Sequence, residues 1–289
     1  MSASTDDPVF QSLAIIGLGL IGGSIALAVR ERWPSVRITG VDQPSVLAHA
    51  RGSGAIDHGA SAVADIGDVT LIVLAAPIRQ NMELLKALAA QPRPRTIVTD
   101  VGGTKRSIMA AARELSSQVR FIGGHPIGGA EKGGFAFARP DLFAGRPWIF
   151  TPDVWSDREA LAQMFRFARG LGARPSEMAP AAHDRAMAFL SHLPQLTASA
   201  LMETVGSGTT VDDLKLAGRG LTDTTRLASS PGDIWRDICA TNADVMGEAL
   251  DRLIARLTEL RGDLSRGEAV ERIFQDAARW RAELMKGRD

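Results

Sequence analysis

Gly17-Leu18-Gly19-Leu20-Ile21-Gly22 restricts this chain more than any other stretch. It follows an apolar run, Ser12 to Ile16, and precedes Ile25 to Arg32, whose composition is helical. A strand, a G-x-G-x-x-G turn and a helix in that order open a parallel βαβ unit. Gly17 permits the tight turn, Gly19 lets a pyrophosphate approach the backbone, and Gly22 allows helix and strand to pack closely. The helix N-terminus, at Leu20 and Ile21, turns its unpaired N–H groups toward negative charge. A second strand, Val36 to Val41, ends at Asp42, twenty residues past Gly22. A carboxylate there suits the two ribose hydroxyls of NAD and repels the extra phosphate of NADP. No Lys or Arg follows until Arg51, so NAD is the expected cofactor.

The alternation of strands and helices continues. Val69 to Ala76, broken only by Thr70, reads as a strand buried on both faces. Pro77 stops it, and Arg79 to Ala90 is helical. Thr96 to Thr99 closes on Asp100-Val101-Gly102-Gly103-Thr104-Lys105, Arg106 to Ser116 is a helix, and a strand from Val119 runs into His125. Ligands of a doubly wound sheet sit outside the carboxyl ends of its strands. The Gly17 loop, Asp42, Ala75-Ala76-Pro77, the loop of Asp100 and Gly102, and His125 therefore converge on one crevice. His125 stands in a segment, Gly123 to Gly134, with six glycines and a proline in twelve residues, which is a shaped loop.

Trp148-Ile149-Phe150 and Ala173 to Met178 read as two further strands flanking a helix from Asp157 to Leu171. After Pro180 strand signals vanish. Helices are expected over about 183–205, 211–217, 234–260 and 268–285, with the domain boundary between 178 and 179. The expected fold is thus α/β plus all-α: residues 1–178 an NAD-binding Rossmann domain, residues 179–289 a helical domain. Met246, Leu250, Leu253, Leu257 and Leu260 step by four and three along one helix. Such a seam packs on another helix, within the chain or across a homodimer.

Lys+Arg and Asp+Glu are both 33, which argues against a broad nucleic-acid or anionic-membrane surface. One cysteine excludes an internal disulfide and a cysteine-rich metal site. No apolar run is long enough to span a bilayer, and the polar, acidic first residues are unlike a secretory signal; the expected location is the cytoplasm. Without tyrosine, five histidines and the carboxylates remain for proton transfer near neutral pH. His49, His58 and His183 read as ordinary surface or helix-end residues. Lys105 and Lys132 read as solvated, and no spacing suggests a metal.

The glycine loop, the Asp100 loop, His125-Pro126-Ile127-Gly128-Gly129-Ala130-Glu131-Lys132 and Ser191-His192-Leu193-Pro194, in that order, resemble the prephenate/arogenate dehydrogenase family. The similarity runs from about Leu13 to about Leu260. It implies oxidative decarboxylation of a small-molecule substrate, prephenate or arogenate, by NAD(P)+ on the route to tyrosine, in a homodimer formed by the helical domain. His125 matches the catalytic base that takes the proton of the ring hydroxyl. Glu131 matches a glutamate at the mouth of the site. His192 matches the start of the helical domain, and Gln195 falls where relatives carry a second histidine. Arg226 matches a carboxylate clamp, Trp235 a wall of the ring pocket, and Asp223 a residue reaching in from the partner subunit. One departure concerns a loop serine that hydrogen-bonds the catalytic histidine and the substrate hydroxyl. Gly103 occupies its place, so Thr104 supplies the hydroxyl, or a water does, or His125 is oriented differently. Ala130 likewise replaces a small hydroxyl residue.

The resemblance leaves arogenate or an amino-substituted prephenate open beside prephenate. Two other readings compete. A β-hydroxyacid dehydrogenase would need a catalytic lysine in the helical half, where Lys215 sits in ordinary helical surroundings. A non-catalytic NAD-binding protein would explain the missing serine. About 30 residues follow the long helix, so no appended regulatory domain is expected, and inhibition by tyrosine would have to act in the active site.

Overall fold

The computed structural model describes residues 7–91, 93–129 and 132–286. The chain divides after Asn242 into two compact units.

The first unit is built on a six-stranded parallel sheet. Its strands are β1 (Ser12–Ile16), β2 (Arg37–Val41), β3 (His58–Ala60), β4 (Leu71–Leu74), β5 (Ile97–Asp100) and β6 (Arg120–Ile122), in the order β3-β2-β1-β4-β5-β6. Helices α1 (Leu20–Arg32), α2 (Pro44–Gly52), α3 (Ile78–Ala89) and α4 (Arg106–Glu114) connect them. Successive residues of a strand point to opposite faces, and the two faces carry separate cores. Leu13, Ile15, Leu71 and Val73 belong to one apolar cluster; Ala14, Ile16, Ile72 and Leu74 belong to the other. This is why β1 and β4 are apolar at every position rather than at alternate ones. The strand order reverses between β1 and β4, and a crevice opens at such a point.

The strand expected to run from Val119 into His125 is two strands. β6 ends at Ile122, and β7 (Gly124–Pro126) joins a second sheet, antiparallel to β8 (Pro147–Phe150), which is parallel to β9 (Arg174–Glu177). Helix α5 (Arg158–Gly170) lies between β8 and β9 in sequence. Its cap is Asp157, whose carboxylate accepts the Glu159 and Ala160 N–H groups and pairs with Arg120 at 2.7 Å.

Beyond β9 the unit is helical: α6 (Pro180–Met187), α7 (Leu193–Gly208), α8 (Val211–Leu214), α9 (Arg219–Thr224) and α10 (Gly232–Thr241). Residues 188–192 form one π-turn between α6 and α7, so the helix expected over 183–205 is continuous but bulged. α1 begins at Leu20, directly after the loop, and runs through both glycines of the motif's end: the Gly23 N–H already bonds the Gly19 carbonyl at 2.9 Å. The second unit holds α11 (Ala243–Asp263) and α12 (Glu268–Met285), which pack on each other. The single helix expected over 234–260 is therefore two, broken at Asn242. That side chain is buried and donates to the Asp184 carbonyl at 2.9 Å. Of the expected seam, Met246 is buried and Leu257 is exposed. Among the described residues no helix is long and apolar enough to cross a membrane.

Candidate active site

A cradle for a dinucleotide lies where β1 meets α1. Gly17 turns the chain with φ of 92°, and a Cβ there would stand 2.7 Å from the Ala75 carbonyl. A Cβ on Gly22 would stand 1.9 Å from the Gly17 oxygen. Both positions exclude any side chain. Around Gly19, by contrast, nothing lies within 4 Å of a built Cβ, and no side chain caps the first N–H groups of α1. Open space before unpaired N–H groups is what a phosphate needs. At the end of β2, Asp42 accepts the Leu18 N–H at 2.6 Å and the Gln43 N–H at 2.7 Å. A carboxylate has about four lone-pair sites, so it can still accept from hydroxyl groups. Across the crevice, buried Asn81 accepts the Ala76 N–H at 3.2 Å and donates to the Leu74 carbonyl at 3.3 Å, which fixes the turn of Ala75 to Pro77. The residues present thus fit a dinucleotide.

A cavity of about 450 Å³ extends from this cradle. Gly19, Leu20, Ile21, Ala75, Ala76, Pro77 and Gly102, all expected near the cofactor, are on its wall. Gly103, Lys132 and, from α10, Trp235 and Ile238 are on the wall as well.

Behind Gly103 lies His125. Its Nδ1 is 2.8 Å from Nε2 of His183, and His183 Nδ1 is 2.8 Å from Oδ1 of Asp184. Asp184 is fully buried and also accepts the Lys105 N–H at 2.7 Å, the Arg106 N–H at 2.9 Å and Arg106 Nε at 3.3 Å. Burial would raise its pKa, but the His183 hydrogen bond and these backbone donors hold it below the ordinary carboxylate value. The charged carboxylate accepts the Nδ1–H of His183, and with the other His183 nitrogen as acceptor His125 donates through Nδ1. His125 Nε2 is left as a lone pair. Burial, then His183, Lys105 and His192, push the His125 pKa well below 6.5, so the ring is neutral at neutral pH.

The loop that carries Gly103 is pinned from several sides. Asp100, fully buried, accepts the Gly102 N–H at 2.8 Å and the Gly124 N–H at 3.2 Å and pairs with the buried Lys105 ammonium. Lys105 also donates to the Gly124 carbonyl at 2.7 Å. Burial lowers the Lys105 pKa, against the pull of Asp100. Lys105 is therefore a structural tie and not a solvated charge, and Asp100 holds the loop instead of facing the cofactor cleft.

Several other expected residues fall elsewhere than anticipated. Thr104 is buried with its hydroxyl 2.8 Å from that of Thr241 on α10. Since Thr241 donates to the Asp237 carbonyl at 2.8 Å, Thr104 spends its proton on Thr241, so it clasps the loop to α10 and does not serve His125. Gln195 is almost wholly buried; its amide donates to the Leu227 carbonyl at 2.8 Å and accepts from Ser230 at 3.1 Å. It braces the 226–230 segment instead of lining the cavity. His192 is buried against the edge of Trp235, ring centres 5.9 Å apart, and burial lowers its pKa to about 4. Arg226 and Asp223 are exposed and lie off the cavity wall of this chain. Glu131 and Ala130 lie outside the described residues. Lys132 is exposed, its ammonium 5.5 Å above the Phe137 ring. His49 is exposed with its edge on Phe135, and His58 is exposed in β3. His183 and Asp184 were not anticipated. An adjacent acid and base at the first turn of a helix was the signal available for them. Among the described residues no group of three or more His, Cys, Asp or Glu could hold a metal ion.

Residues 25–177 match the model of the prephenate dehydrogenase nucleotide-binding domain, and residues 179–276 match that of the prephenate dehydrogenase dimerization domain. The chain is 33% identical over 271 residues to the prephenate dehydrogenase of Bacillus subtilis, covering 92% of this chain and 73% of that protein. It is 30% identical to the cyclohexadienyl dehydrogenase of Zymomonas mobilis, covering 97% and 98%. The prephenate dehydrogenase of Aquifex aeolicus, solved in complex with hydroxyphenyl propionate and NAD+, superposes with a TM-score of 0.88 at 30% identity, covering 95% of this chain and 98% of that one.

Proposed function

Because this chain belongs to the prephenate dehydrogenase family, we propose that it catalyses the NAD-dependent oxidative decarboxylation of prephenate to 4-hydroxyphenylpyruvate. The observation that carries this reading is the His125–His183–Asp184 row, which leaves a neutral imidazole with its Nε2 lone pair behind the dinucleotide cavity.

NAD+ bound at the glycine cradle supplies the hydride acceptor. His125 Nε2 takes the proton of the ring hydroxyl as hydride leaves the same carbon, and the ring carboxylate departs as CO2 while the ring becomes an aromatic phenolate, which takes a proton back to give the phenol. Positive charge then appears on His125. Nδ1–H of that ring is already committed to His183, and His183 to the Asp184 carboxylate, so the charge meets an oriented hydrogen-bond row without rearrangement. The depressed pKa of His125 keeps the acceptor form populated at neutral pH, at some loss of basicity. Trp235 walls the ring; a role for Arg226 as carboxylate clamp and for Asp223 requires that they, exposed and off this chain's cavity wall, reach toward the site of a second subunit. Residues 1–178 form the cofactor domain and 179–289 the helical domain through which a homodimer assembles.

The test is NADH formation, followed by absorbance, with NAD+ and either prephenate or arogenate at equal concentration. Turnover of prephenate with release of CO2 is expected. Turnover of arogenate alone would move the substrate to the amino compound, and turnover of neither, with NAD+ bound, would refute the reading.

A further inference from the structure

Gly103 is a glycine that neither its backbone nor its packing requires. Its φ lies outside the left-handed region, and a Cβ built on it meets only Ile238 Cδ1 at 3.8 Å and His125 Nε2 at 4.0 Å, both ordinary contacts. This contrasts with Gly17 and Gly22, where a Cβ would strike backbone. The consequence of the missing side chain is therefore space, and that space has a definite address. Gly103 is on the cavity wall, His125 stands behind it, and the nearest polar side-chain atom is the Nε2 lone pair. The neighbours of Gly103 cannot drift into the gap. The Asp100 carboxylate holds the Gly102 N–H, and Thr104 is clasped to Thr241. Thr104, the nearest hydroxyl in sequence, is directed away.

We propose that Gly103 positions a single water molecule between His125 Nε2 and the reacting hydroxyl, so that proton transfer runs through that water. The inference rests on His125 being the proton acceptor. A water needs at least two polar partners to be held, and Nε2 and the substrate hydroxyl provide them. The substrate O–H proton passes to the water oxygen while a water proton passes to Nε2. The hydride leaves the same carbon for NAD+, which completes the C=O bond. The C–C bond to the carboxylate breaks, releasing CO2; its electron pair enters the ring, the C=O pair returns to oxygen as an aromatic phenolate, and the proton on Nε2 passes back through the water to give the phenol. Water is regenerated within the step.

The test compares Gly103→Ala and Gly103→Ser with wild type and His125→Asn. NADH formation is measured, with thermal melting and NADH fluorescence titration as controls of fold and cofactor affinity. A methyl group fills the space without hydrogen-bonding, so Gly103→Ala is expected to lower kcat by about tenfold or more, with NADH affinity unchanged. Gly103→Ser fills it with a hydroxyl at the water's position and is expected to recover most of that loss. In mixtures of H2O and D2O the wild-type kcat is expected to fall along a curve, since two protons move together. Wild-type kcat in Gly103→Ala, a serine variant as slow as the alanine variant, or a linear dependence on deuterium fraction in the wild type overturns the proposal. These results leave His125 as the base so long as His125→Asn is inactive. An active His125→Asn overturns both.

Discussion

Asp184→Asn perturbs the site at its buried anchor. The two carboxylate oxygens of Asp184 receive four N–H donors, at 2.7, 2.9, 3.3 and 2.8 Å. An asparagine has one oxygen, so in either orientation its amide nitrogen faces a buried backbone N–H. If nitrogen replaces Oδ2, it opposes the Arg106 N–H and loses Arg106 Nε. If it replaces Oδ1, the orientation that forfeits one donor instead of two, it opposes the Lys105 N–H and drives His183 into the other tautomer. His183 then donates from Nε2, His125 must accept at Nδ1, and His125 Nε2 carries a proton and cannot act as a base. An unsatisfied buried donor costs about 1–3 kcal/mol, and breaking a buried charged hydrogen-bond set costs about 3–5 kcal/mol. At about 2–4 °C per kcal/mol for a domain of this size, Tm should fall by roughly 6–20 °C. Loss of the base should lower kcat by about 10²–10⁴, while NADH affinity is retained because the cradle at Gly17 to Gly22 does not touch Asp184. Calorimetry, fluorescence titration and steady-state NADH formation read the three quantities. Wild-type kcat in a folded Asp184→Asn protein would refute the tautomer argument.

Gly22→Ala forces a Cβ to 1.9 Å from the Gly17 oxygen, so NADH titration should show binding weakened by at least about tenfold, in keeping with a backbone shift at the phosphate site. Thr104→Val removes the clasp to Thr241 and should cost about 0.5–1.5 kcal/mol in urea unfolding, with kcat unchanged because that hydroxyl does not serve His125; a large fall in kcat would restore Thr104 to the chemistry. The folded-state pKa of His192 is about 4 and its ordinary value 6.5. Between those pH values the unfolded chain binds more protons, so stability is fully present above about 6.5 and is lost as pH falls toward 4, by about 3 kcal/mol from this residue. The urea midpoint should drop across that window in the wild type and drop less in His192→Asn.

Local signals made the cofactor half legible. The fully apolar runs of β1 and β4 and the spacing of Gly17, Gly19 and Gly22 are each contained in a few consecutive residues, and they dictate sheet and crevice together. The place of His125 at the crevice is legible through its glycine-rich surroundings. The partners of His125 are not, because His183 lies 58 residues away and meets it only when α6 docks beside β7. The break at Asn242 is hidden for the same reason: helical composition runs through it, and only the hydrogen bond to Asp184 gives a buried asparagine its place there. In sequence Lys105 looks solvated and Asp100 looks like a cofactor ligand, and it is mutual pairing that lets both be buried. Gln195 and Thr104 had the right chemistry for a site, but their hydrogen bonds go to Leu227, Ser230 and Thr241, partners that spacing alone does not reveal.

The central claim is that His125 is the proton acceptor, and His125→Asn tests it most directly. With NAD+ and prephenate the variant should turn over about 10²–10⁴ times more slowly than wild type, while binding NADH with unchanged affinity and melting within a few degrees of it. Turnover within about tenfold of wild type in a folded, NADH-binding variant would contradict the account, since no hydrogen-bond row would then end on the reacting hydroxyl.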